Sequence, residues 1–148
     1  MQRLNSRKKG FSLIEQLCAL AIFGIMSASV ISLELNNIKM RNYNKEIMTY
    51  TSILEAVKQE ILYNYSYDSL KTIYNSGKKY IISDKLTMND VKNSNLNQLF
   101  NYGADLNNTY LLMNITDGEV LKIHLEVHVK LGYKEELLQC EFNKGNYI

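Results

Sequence analysis

Residues 8–33 read KKGFSLIEQLCALAIFGIMSASVISL, and their reading decides the fold. Two lysines and a glycine close a short basic stretch, MQRLNSRKKG, over residues 1–10. An almost wholly apolar run follows, and from Leu17 to Leu33 it carries no charge. At a helical rise of about 1.5 Å per residue, roughly 20 such residues cross a bilayer core of about 30 Å. The basic flank then stays on the cytoplasmic side. One residue breaks the pattern. Glu15 sits near the start of the apolar run, where a carboxylate is costly without a partner.

Downstream there is no helix breaker. Met40, Tyr43, Ile47, Tyr50, Leu54, Val57 and Ile61 recur three and four residues apart, with Lys39, Arg41, Lys45, Glu46, Glu55, Lys58 and Glu60 on the other faces. This is one apolar stripe, and the spacing predicts a single helix from about Phe11 to Leu62. Residues 63–108 are a tyrosine-punctuated polar stretch with a short strand over Lys79–Ser83, a short helix over Thr87–Phe100, and turns at Gly77 and Gly103. The C-terminal part reads more plainly. Leu121, Ile123, Leu125, Val127, Val129 and Leu131 alternate with Lys122, His124, Glu126, His128 and Lys130, which predicts a half-buried strand. Tyr110–Ile115 precedes it across Asp117-Gly118, and a third strand over about Glu135–Phe142 follows the turn at Gly132-Tyr133, with Leu138, Cys140 and Phe142 facing inward. The fold expected is α+β: a long N-terminal helix packed on a C-terminal antiparallel sheet of at least three strands, the helix covering the sheet's apolar face.

Lys8-Lys9-Gly10-Phe11-Ser12-Leu13-Ile14-Glu15 resembles the class III signal of type IV prepilins and pseudopilins. That signal is a short basic leader ending in glycine, then phenylalanine, then an apolar segment with glutamate as its fifth residue. The resemblance implies cleavage between Gly10 and Phe11 by a prepilin peptidase and methylation of the new Phe11 amine. It also implies an assembly role for Glu15, compensating the amine of a neighbouring subunit. Burial makes either charge costly without the other. The implied organisation is a leader over 1–10, a transmembrane and filament-core half-helix over 11–35, and an extracytoplasmic pilin-like domain over 36–148. Within that domain the helix runs to about 62, a variable region spans 63–108 and the sheet spans 109–143. The implied partners are the prepilin peptidase, other pilin or pseudopilin subunits, the membrane platform of the assembly machine, and the lipid bilayer before assembly. The implied location is the cytoplasmic membrane, single-pass with the N-terminus inside, then an extracytoplasmic filament.

The chain departs from the usual pilin pattern in two ways. It has no proline in the apolar helix, where only Gly24, Ser27, Ser29 and Ser32 offer a soft point. Its two cysteines, Cys18 and Cys140, fall in the apolar run and in a strand, so no disulfide closes a C-terminal loop. A minor pilin, or a secretion or competence pseudopilin, fits as well as a major pilin. Other readings explain less. A secretory signal peptide cut near Ser27-Ala28-Ser29 leaves Glu15 and Gln16 unexplained. Leu17 before Cys18 does not suit a lipoprotein signal. A non-polymerising, single-span, membrane-anchored binding module is the alternative from another class.

The sequence offers no catalytic, cofactor or metal site. His124 and His128 lie about 13 Å apart along a strand, too far to share an ion. The sequons at Asn64, Asn107 and Asn114 carry no expectation of use. Seventeen basic residues face 15 acidic ones, and four of the basic ones fall in the first ten residues. The remainder is slightly acidic, which disfavours a phosphate-binding surface. DNA contact through the tyrosines has no other support in the sequence.

Overall fold

The computed structural model describes residues 12–132 and 134–145. Among these residues nine elements follow one another: α1 (Leu13–Asn64), α2 (Tyr67–Asn75), β1 (Tyr80–Ile82), a 3-10 turn (Ser83–Lys85), α3 (Met88–Asn93), α4 (Leu96–Leu99), β2 (Tyr110–Thr116), β3 (Val120–Leu131) and β4 (Lys134–Gly145). The chain divides into two units, one ending at Asn42 and the other starting at Tyr43.

The first unit contributes the N-terminal part of α1. Its apolar side chains are exposed, Leu13, Phe23 and Ile25 by 70 % or more of their surface. The helix is long and apolar enough to cross a membrane. It runs unbroken through Gly24 and the serines, and the Ser29 hydroxyl donates to the Ile25 carbonyl at 2.9 Å.

The second unit is a two-layer α+β domain. Its sheet is antiparallel throughout, in the order β1-β2-β3-β4. The long β3 pairs with β2 from Tyr110↔His128 to Thr116↔Lys122, and with β4 from Val120↔Gly145 to Leu131↔Lys134. The alternation read in the sequence follows from this geometry. Leu121, Ile123, Leu125, Val127 and Val129 are fully buried, and the intervening residues face outward. Leu54, Val57 and Ile61 of α1 join them in one core, with Leu111 and Met113 of β2. Burying each such side chain stabilises the fold by about 1.5–3 kcal/mol. Leu138, Cys140 and Phe142 face the core as expected but are only half-buried, because β4 is the edge strand. Two polar links tie β4 to α1: the Tyr43 hydroxyl donates to Glu136, and the Lys144 ammonium donates to the Leu62 carbonyl. Gly132 leaves β3 at φ +62, a conformation glycine adopts without a Cβ penalty. Tyr133 lies outside the described residues.

Three expectations need correction. Met40 is exposed rather than part of the packed stripe, because the domain begins only at Tyr43. The single helix expected over Thr87–Phe100 is two short helices. Ser94 and Asn95 are extended, and the Asn95 side chain accepts from Asn97 N–H at 3.0 Å to cap α4. Asparagine and serine side chains compete for local backbone in this way. Tyr65 fixes the break, since its hydroxyl donates to Asn95 Oδ1 and accepts from Leu96 N–H. Finally, the polar stretch after α1 contains a helix, α2, capped by Ser66 and burying only Leu70 and Ile73. The fourth strand, β1, lies where Lys79–Ser83 predicts it, and Asn101 bridges its Tyr80.

Two exposed carboxylates are held in their charged form by ion pairs. Lys71 lies 2.5 Å from Asp117, and Tyr67 hydrogen-bonds its other oxygen, so α2 clamps the β2–β3 turn and holds Asp117 below the usual carboxylate range. Lys130, with a smaller contribution from His128, does the same for Glu135. A depressed carboxylate contributes stability that is complete above its unfolded pKa and is lost as pH falls through the folded one. The thermal midpoint should therefore drop progressively below about pH 4.5. Asp117→Asn should flatten that drop when melting is followed by circular dichroism across pH 2–6. An unchanged acid profile in the variant would count against the clamp.

Candidate processing and assembly site

The expected site residues are Gly10, Phe11 and Glu15. Gly10 and Phe11 lie outside the described residues, so the scissile bond has no geometry here. Glu15 is described, in the first turn of α1. Its carboxylate does not simply point away from the helix. Glu15 Oε2 accepts from Ser12 N–H at 2.8 Å, and Ser12 Oγ accepts from Glu15 N–H at 3.3 Å. Glu15 N–H and Gln16 N–H also reach the Ser12 carbonyl, at 3.0 and 3.2 Å. This is a reciprocal capping box, in which Ser12 as N-cap and Glu15 three residues on each accept from the other's backbone N–H. An acidic group there also meets the positive end of the helix dipole. Sequence reasoning about Glu15 overlooked Ser12. The S-x-x-E spacing of Ser12-Leu13-Ile14-Glu15 ahead of an apolar run is the signal that finds it.

Both surfaces of this segment are thus accounted for chemically. In the N-terminal turn Ser12 and Glu15 bond each other's backbone, and the helix presents apolar side chains with none of its 18 most apolar consecutive residues buried. Such a surface needs lipid or other apolar helices around it. Cys18 lies on it as an exposed free thiol. Cys140, in β4, is also a free thiol, and partial burial raises its pKa.

The domain itself holds a polar arrangement on the outer sheet face. His124 Nδ1 lies 3.3 Å from Glu126 Oε1, and His128 Nε2 lies 3.5 Å from Glu126 Oε2. His128 also stacks on Tyr110, with ring centroids 4.6 Å apart. Among the described residues, no group of three or more histidine, cysteine, aspartate or glutamate side chains could hold a metal ion. Across strands, His128 Nδ1 also lies 3.7 Å from Glu135 Oε1 of β4. Tyr63 and Tyr102 are strongly exposed. Lys78 lies 5.8 Å from the Tyr102 ring centroid, but its ammonium is already bonded to Asn97.

Residues 5–31 match the family model of the prokaryotic N-terminal methylation motif. Neither curated proteins nor solved structures give a significant match to the chain. The matched segment covers residues 5–10 of the basic stretch, the Gly10-Phe11 junction, the capping box and the apolar start of α1. Residues 5–31 thus carry the class III signal of type IV pilins, at the start of a long helix whose later part packs against a four-stranded antiparallel sheet in a pilin-like α+β layout.

Proposed function

We propose that the chain is a structural subunit, of the minor class, of a type IV pilus or related pseudopilus. A prepilin peptidase cuts between Gly10 and Phe11 on the cytoplasmic side, and the new Phe11 amine is methylated. Residues 11–35 then anchor the subunit in the cytoplasmic membrane and later line the filament core. Residues 36–148 form the extracytoplasmic domain. Glu15 pairs with the Phe11 amine of an adjoining subunit and sets axial register. The observation that carries this reading is the methylation motif at residues 5–31 running directly into α1. The minor class is supported by the missing helix proline and the absence of a cysteine pair within the C-terminal part. The exposed apolar face of α1 suits both environments in turn, lipid before assembly and neighbouring helices after it.

The reading is tested by shearing cells and probing sheared and membrane fractions with an antibody to the domain. The processed chain should be in both. Processed chain confined to membranes, under conditions where the other pilin subunits are sheared off, would favour the non-polymerising membrane anchor instead.

A further inference from the structure

β4 ends the sheet and is as long as the strand it pairs with, 12 residues over Lys134–Gly145. Its ladder to β3 is continuous, but among the described residues no backbone–backbone hydrogen bond reaches its other side. Every second residue of an antiparallel edge turns its N–H and C=O outward, so this edge is an open row of donors and acceptors. The opposite edge is closed off. There β1 spans three residues, and Asn101 bridges its Tyr80.

The side chains of β4 are ordered about Cys140. On the face shared with α1 the row reads Lys134, Glu136, Leu138, Cys140, Phe142, Lys144. Its neighbours two residues from Cys140 are apolar, and those four residues away are Glu136 on one side and Lys144 on the other. Such a strand is complementary to itself. Laid antiparallel on a copy with Cys140 opposite Cys140, it sets Glu136 against Lys144 at both ends and Leu138 against Phe142. On the outer face Leu137 meets Asn143 and Gln139 meets Glu141, so no like charges are opposed. A shift of register by two residues opposes Lys134 to Lys144 in one sense and Glu141 to itself in the other. The charges that guard this edge against indiscriminate pairing thus admit one register.

We propose that the open edge of β4 is a docking surface for a second copy of this chain, the two β4 strands joined antiparallel about Cys140. The copies are then related by a two-fold axis, and the contact closes on itself. A fibre is built from head-to-tail contacts instead. The pair therefore links copies from two fibres rather than extending one. That setting rests on the filament reading proposed above, while the pairing itself does not.

The test uses the full chain in detergent with Cys18→Ser, which leaves Cys140 as its one thiol. Opposed Cα atoms in an antiparallel pair lie about 4.5–5.5 Å apart, within the span of a disulfide. Diamide, which takes up the two electrons and two protons that a pair of thiols gives up, should produce a covalent dimer on non-reducing gels. Register is read with Leu137→Cys and Asn143→Cys copies that lack both native cysteines. Mixed, they should cross-link to each other, and neither should cross-link to itself. Under reducing conditions, sedimentation should show Glu136→Lys weakening the dimer by about tenfold, since it opposes like charges at both ends. Adding Lys144→Glu to that variant should restore it. A chain that gives no Cys140 dimer would overturn the proposal. So would like copies cross-linking as well as unlike ones, or a double charge swap no tighter than Glu136→Lys alone. No filament is present in these measurements, so such failures leave the assembly reading to its own shearing test.

Discussion

Glu15→Ala should be cut and retained in the membrane yet enter filaments at least a hundredfold less than the wild type. The change removes the only charge between Phe11 and Leu33, so insertion into lipid becomes easier, not harder. On the proposed pairing, it also leaves the Phe11 amine of the adjoining subunit buried without a counter-charge. Breaking a buried pair by removing one partner costs about 3–5 kcal/mol, which is two to three orders of magnitude in an association constant. The loss of the capping box contributes only about 1 kcal/mol of this. Glu15→Gln separates the two contributions. Glutamine keeps the box, since S-x-x-Q caps as S-x-x-E does, but it carries no charge. Its incorporation should be nearly as low as that of the alanine variant. Immunoblots of sheared and membrane fractions report both. Near-normal incorporation of Glu15→Gln would mean that capping, not charge pairing, is what assembly requires.

The second large effect concerns the domain. Leu125 lies in the middle of β3, fully buried between Met113 of β2 and Cys140 of β4 in register. Leu125→Ala should destabilise the domain by about 2–5 kcal/mol, through lost burial and the cavity left behind. That is a large part of the 5–15 kcal/mol typical of a whole domain. The outward neighbour Lys122 forms an exposed ion pair with Glu141 at 2.7 Å. Lys122→Ala should change stability by no more than about 1 kcal/mol. Urea unfolding of the detergent-solubilised chain measures both. Equal effects would contradict the assignment of the two sheet faces.

These two positions also mark what the sequence makes legible. The faces of β3 can be read residue by residue because one side is core and the other is water, so a period of two is imposed along the whole strand. The helical stripe is legible from Tyr43 to Ile61 for the same reason, and Met40 misleads because it precedes the start of the domain at Tyr43 and is exposed. The region between is opaque for a physical cause. α2 buries only Leu70 and Ile73, too few positions to set a period, and its start is marked by the single cap Ser66. The break between α3 and α4 depends on Tyr65, about 30 residues away in sequence, bonding Asn95 and Leu96. No local pattern announces such a contact. At the candidate site the balance is reversed. Glu15 stands out as a charge in an apolar run, while Ser12 blends into it until its spacing from Glu15 is read as a cap.

The most direct test of the account is the mass of the N-terminal peptide of the chain recovered from sheared filaments. The account predicts a start at Phe11 with a methyl group on its amine, and no leader peptide remaining. A chain beginning near Val30, or one retaining residues 1–10 in the filament fraction, would contradict it.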